Sequence, residues 1–235
     1  MNMLKRLSPC AAGVVATVAG LVLCAPTAQA APIAYESFGY AAGSGALANQ
    51  YGGTGWSGDW GTGANNVVSP GLTFSKNGST LPASGNTAET AGGNVGNFRS
   101  LPSTINSGTV YVSLLAKLDG GAPGNSYAGV SLFNAGSENL FIGQPNNSAI
   151  WGLDQATGPQ STGVAEDATT HLFVVQIDYG SGTAGNDRVR MYVDPTPGLT
   201  APDVAPVIDV STTRSASFMT GRPSAETPVM RVESW

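Results

Sequence analysis

The chain has 235 residues, of which 11% are charged and 41% hydrophobic, with 32 glycines and a formal net charge of −5. Glycine stands at about twice its usual share of ~7%, and charged residues at under half their usual ~25%. That balance excludes a charge-driven disordered tail and a heptad coiled coil, and the lack of a Gly-X-Y period excludes collagen.

The start of the chain reads as an export signal. Lys5 and Arg6 give a positive beginning, and 11–25 is an uncharged, mostly apolar run of 15 residues. Ala28-Gln29-Ala30 then places small residues at the −3 and −1 positions of a cleavage site. We therefore expect an N-terminal signal helix within 1–30, cleavage after Ala30, and a secreted or cell-surface product beginning at Ala31. The apolar run is shorter than the ~18–20 residues of a membrane-spanning helix, and no longer run follows it. Cleavage removes both cysteines, Cys10 and Cys24, so thiol catalysis, disulfides and thiolate zinc sites are excluded for 31–235. It also removes Lys5 and Arg6, leaving 8 basic against 15 acidic residues, or −7 with His171 neutral. A nucleic acid or other polyanion is not an expected partner for such a surface.

One domain is expected over 31–235, cut short at its last strand. Short strand candidates come first, at 34–38, 71–75 and 97–101. In 109–118 the pattern is clearer: Val110, Val112, Leu114, Ala116 and Leu118 share one face by period-two alternation. Further candidates follow at 127–134, 140–143 and 149–153. The segment 171–179 is apolar on both faces near its start, as a central strand should be. In 188–194, Val189, Met191 and Val193 point one way, and Arg188, Arg190 and Tyr192 the other. The Gly-, Ser- and Asn-rich stretch 180–187 joins these two segments as a long-loop antiparallel hairpin. Four prolines make 195–206 an irregular crossing. The last candidates are 215–219 and 229–234, the second breaking off at Trp235. No segment after 31 carries a sustained 3.6-residue apolar period with caps. The expected fold is all-β, a two-sheet antiparallel jelly-roll sandwich.

Trp56 and Trp60 sit in a Gly-rich loop on either side of Asp59. Tryptophan faces can stack on the C–H faces of sugar rings, and an aspartate can accept hydrogen bonds from hydroxyls, which makes Trp56, Asp59 and Trp60 the candidate ligand site. Burial of both tryptophans in the sandwich core is the competing reading. His171 is the sole histidine, at the head of a strand, and a structural role is expected for it. Turn-rich oxygen donors at Asp119, Asn125 and Asp187 form the candidate metal set, for Ca²⁺. The same residue types are also simply what turns require.

Three segment pairs together resemble a known family. They are 35–44 (Tyr-Glu-Ser-Phe-Gly-Tyr-Ala-Ala-Gly-Ser) with 52–60 (Gly-Gly-Thr-Gly-Trp-Ser-Gly-Asp-Trp); Leu140-Phe-Ile-Gly143 with Trp151-Gly-Leu-Asp154; and 170–180 followed by 187–195, which ends in Asp194-Pro195. They resemble the laminin-G-like jelly rolls of the concanavalin A-like lectin/glucanase superfamily, closest to its secreted bacterial type. The resemblance implies a sandwich that binds at rim loops, sometimes with calcium. It also implies a C-terminal sorting tail, and the sequence stops at Trp235 before one. Enzymes of the superfamily spell Glu-x-Asp-x-x-Glu on one strand, which sets two carboxylates on one face. That spelling is absent here. The expectation is thus a non-catalytic module that recognises extracellular glycan. A structural surface or matrix protein is the alternative, and a polysaccharide hydrolase or lyase the second alternative.

Overall fold

Alternating apolar residues, where they run longest, build the centre of the molecule. The computed structural model describes residues 32–81, 84–89, 96–119, 128–134, 136–145, 148–155, 157–182, 186–212, 219–220 and 228–233. Its strands are β1 (Ala34–Tyr35), β2 (Asn66–Val68), β3 (Phe74–Lys76), β4 (Ser79–Leu81), β5 (Thr87–Glu89), β6 (Thr109–Ala116), β7 (Ala128–Asn134) and β8 (Ser137–Gln144). They continue with β9 (Ile150–Gln155), β10 (Gln160–Ala165), β11 (His171–Asp178), β12 (Arg188–Val193), β13 (Ile208–Ser211), β14 (Met219–Thr220) and β15 (Pro228–Glu233).

One sheet has six strands in the order β1-β15-β6-β11-β12-β13, and the other five in the order β10-β9-β8-β7-β14. Two small hairpin-like sheets, β2-β5 and β3-β4, accompany them. Every described pairing is antiparallel. The molecule is an all-β, two-sheet antiparallel sandwich, as expected. No helix occurs among the described residues, and the expected signal helix lies outside them.

Register explains the core. Phe173 faces Leu114, Val175 faces Val112 and Ile177 faces Val110 across β11 and β6. On the other side Val175 meets Met191 and Ile177 meets Val189. Opposed residues share a face, so these side chains form one apolar sheet surface. Trp151 of β9 reaches across from the second sheet, its ring 5.4 Å from that of Phe173. Leu132, Leu140, Ile142 and Leu153 fill the facing surface, all buried. The opposite face of the six-stranded sheet is also apolar at one end, where Leu115, Leu172 and Val174 are buried. This is the two-sided character expected of β11.

The hairpin expected around 180–187 is β11-β12, although 183–185 lie outside the described residues. Segment 97–101 is not a strand. It carries one bridge, between Ser100 and Ser57, because the Asn97 and Arg99 side chains there bond to the backbone of neighbouring loops. The strand expected at 71–75 is shifted to β3, and of 215–219 only Met219 is described, in β14. β2, β4, β5, β10 and β13 were not foreseen.

Candidate functional site

Glu36 leaves β1 and turns its carboxylate inward, where it is fully buried. A buried charge persists only when it is paired and hydrogen-bonded. Oε2 accepts from Arg99 Nη1 at 2.6 Å, from the Tyr40 hydroxyl at 2.8 Å and from the Trp60 indole N–H at 3.1 Å. Oε1 accepts the Phe38 backbone N–H at 2.8 Å. Burial, and then Glu36 itself, push the Tyr40 hydroxyl pKa far above its ordinary value, so it stays a donor.

Arg99, 3% exposed, is held from both ends. Its Nε donates to the Gly58 carbonyl at 3.1 Å while Nη1 holds Glu36. Around the guanidinium stand three rings, with centroids 5.7 Å away for Tyr51, 5.6 Å for Trp56 and 5.8 Å for Trp60. Trp60 is buried and stacks on Phe38 at 5.9 Å. Trp56 is half-buried, donates its indole N–H to the Tyr35 carbonyl at 3.0 Å, and tilts against Trp60 at 6.2 Å. Tyr51 is 76% exposed, against 46% for the next most exposed large apolar side chain described, Val207.

The loop that presents these rings is fixed to β1. Tyr35 and Thr54 exchange both backbone hydrogen bonds at 2.9 Å. Gly53 and Gly55 flank Thr54 with φ of +65° and +76°. A Cβ on Gly55 would come within 1.8 Å of the Ile33 carbonyl oxygen, and one on Gly53 within 2.3 Å of the Tyr35 carbonyl oxygen. Glycine is required there for both conformation and approach.

The candidate residues named from the sequence separate. Trp56 and Asp59 reach the surface, and Trp60 lies in the core, which closes its face to a ligand. Tyr51, Glu36, Tyr40 and Arg99 were passed over. Only Tyr51 carried a readable signal, an aromatic residue between Gln50 and Gly52 in the same Gly-rich loop. Of the metal set, Asp119 is exposed and accepts from Lys117 Nζ at 3.3 Å. Asp187 is buried and accepts the Gly180 N–H at 2.8 Å, a turn-closing bond. Asn125 lies outside the described residues. Among the described residues no three His, Cys, Asp or Glu gather where they could hold a metal ion.

His171 is mostly buried. Its Nδ1 is 2.8 Å from Asp194 Oδ2, and that hydrogen bond raises the imidazole pKa above its ordinary 6.5. Asp194 also accepts the Leu172 N–H at 2.9 Å, and its carbonyl accepts from Lys76 Nζ. The histidine thus fastens the end of β12, with the β3-β4 hairpin attached.

A second polar group lies on the outer face of the six-stranded sheet. Arg188 makes a forked pair with Asp209 at 2.7 and 2.6 Å, and Arg190 donates to Asp178 at 2.7 Å. Gln176 donates to Asp178 at 2.9 Å and accepts from the Tyr192 hydroxyl at 2.9 Å. Burial raises the Tyr111 and Tyr192 pKa values, and a nearby carboxylate, that of Asp178, adds to this in both. A tyrosine raised in this way is a poor proton acceptor.

No protein-family model and no curated protein matches the chain. Among solved structures it is similar to the SPRY domain of human HERC1, at 10% identity and a TM-score of 0.38, covering 69% of this chain and 94% of that one. It is also similar to the alginate lyase Aly36B, at 10% identity and a TM-score of 0.40, covering 87% of this chain and 96% of that one. The assignment that stands is one of fold, carried by the chain's own strand order and register: an antiparallel two-sheet jelly-roll sandwich.

Proposed function

We propose that this chain is an exported, non-catalytic module that binds glycan on a platform made by Tyr51 and Trp56. The observation that carries the reading is Tyr51 itself, 76% exposed yet set against a guanidinium that is buried and fixed at both ends. With Arg99 behind the ring, its exposed side is open to a sugar face. A rigid scaffold lowers the ordering cost of binding. Asp59, exposed in the same loop, supplies a hydroxyl acceptor.

The test is binding of the exported chain to a broad polysaccharide panel, with calcium and then with EDTA. Tyr51→Ala is expected to weaken binding by roughly tenfold or more, the upper end for one aromatic contact, with an unchanged melting temperature. A folded protein that binds no polysaccharide overturns the proposal. So does binding that survives Tyr51→Ala, or release of reducing ends or unsaturated sugars.

A further inference from the structure

Resting on that platform reading, we infer that the site takes uncharged glycans and turns away polyuronates and sulfated chains. The charge pattern around the platform points there. Across 37–75, which includes the whole loop, the one charged residue is Asp59, and it is exposed. Arg99, the cation behind the rings, is 3% exposed and neutralised by Glu36 at 2.6 Å, so it offers no charge to a ligand.

The same holds over the rest of the described surface. Five cationic Lys and Arg side chains are described, and each is already engaged. Lys76 holds the Asp194 carbonyl, Arg99 holds Glu36, and Lys117 holds Asp119. Arg188 holds Asp209 and Arg190 holds Asp178. Among the described residues, Asp59, Asp167 and Asp203 are exposed carboxylates outside these pairs. An anionic polymer laid on Tyr51 would bring its carboxylates or sulfates to Asp59, with no unengaged cation among the described residues to meet them. A neutral sugar brings a C–H face for the ring and hydroxyls for the carboxylate. Repulsion at an exposed site is screened beyond about 10 Å at 0.1 M salt, so low salt is where the discrimination reads most clearly.

The experiment is affinity electrophoresis of the exported chain through neutral polysaccharides (β-glucan, xylan, galactomannan) and anionic ones (alginate, polygalacturonate, chondroitin sulfate). It is run at low salt and at about 0.15 M salt. Wild type is expected to be retarded by at least one neutral polymer at both salts, with the retardation lost in Tyr51→Ala, and by no anionic polymer at either. Asp59→Asn is expected to weaken retardation by the neutral polymer and to admit weak retardation by anionic ones, so that their ratio shifts toward the anionic. Tyr51-dependent retardation by an anionic polymer, equal to or stronger than by any neutral one, overturns the inference and leaves the platform standing. Anionic retardation that survives Tyr51→Ala also overturns it, since it requires a cationic surface that the described side chains do not offer. Retardation by no polymer, or neutral retardation that survives Tyr51→Ala, overturns the platform itself and the inference with it.

Discussion

Glu36 is a carboxylate without access to water and with four donors around it. Its removal exposes no polar group to solvent. It leaves the Arg99 charge buried and unpaired. Glu36→Gln is therefore expected to destabilise the fold by about 3–5 kcal/mol, the range for breaking one side of a buried ion pair. Urea unfolding checks this, and a loss below about 1 kcal/mol would mean that Arg99 finds another partner or water. Nothing in the sequence announced the pair. Glu36 and Arg99 stand 63 positions apart, and a lone glutamate and a lone arginine read as surface charges. Trp56 and Trp60 were legible as important by type and setting. They are separated by the turn at Gly58, with φ +81°, before Trp60 enters the core. Tyr51 was legible in the same way and was overlooked because tryptophan carries the stronger signal.

At the level of elements, the ring-bearing loop depends on how closely it lies against β1. Gly55→Ala sets a Cβ 1.8 Å from a backbone oxygen in a left-handed conformation, and a cost of about 3 kcal/mol or more is expected. Gly58→Ala shares the left-handed conformation but meets nothing within 4 Å, so about 1 kcal/mol is expected there. Thermal melts of the two variants side by side separate crowding from backbone strain, and equal losses would contradict the close packing. Strands were readable where both faces are apolar or alternate cleanly. β6 and β12 match the expected 109–118 and 188–194 to within two residues at the C-terminal end, and β11 matches 171–179 to within one. Two edge strands, β10 and β13, were not. β10 is Gln-Ser-Thr-Gly-Val-Ala with a register shift, and β13 emerges directly from the proline-rich crossing. Such strands are specified by the neighbour they pair with, and a single sequence does not display the neighbour.

For the molecule as a whole, stability has a defined dependence on pH. His171 is raised above 6.5, chiefly by its hydrogen bond to Asp194, so it binds its proton more tightly folded than unfolded. Its contribution is complete below pH 6.5 and is lost as pH climbs through the higher folded value. Asp167, Asp203 and Asp209 are lowered from 3.8, chiefly by bonds from Thr169, Thr196 and Arg188 respectively. Their contribution is present above 3.8 and fades as pH drops toward the depressed folded values. The urea midpoint is expected to be highest between about pH 4 and 6.5, and to fall above that. His171→Gln is expected to remove the fall on the alkaline side. A wild-type midpoint that stays level from pH 6.5 to 8 would contradict the assignment.

The position of β15 bears on when the protein can fold. The last described strand, β15, is inserted between the first, β1, and the central β6. Until the ribosome has reached Glu233, β6 has one bare edge and β1 has no partner strand to join. Pairings of such long sequence separation form late and slowly. The platform loop, pinned to β1, must wait with it. The sheet edge that carries the Tyr51 loop is thus completed only after β15 has left the ribosome.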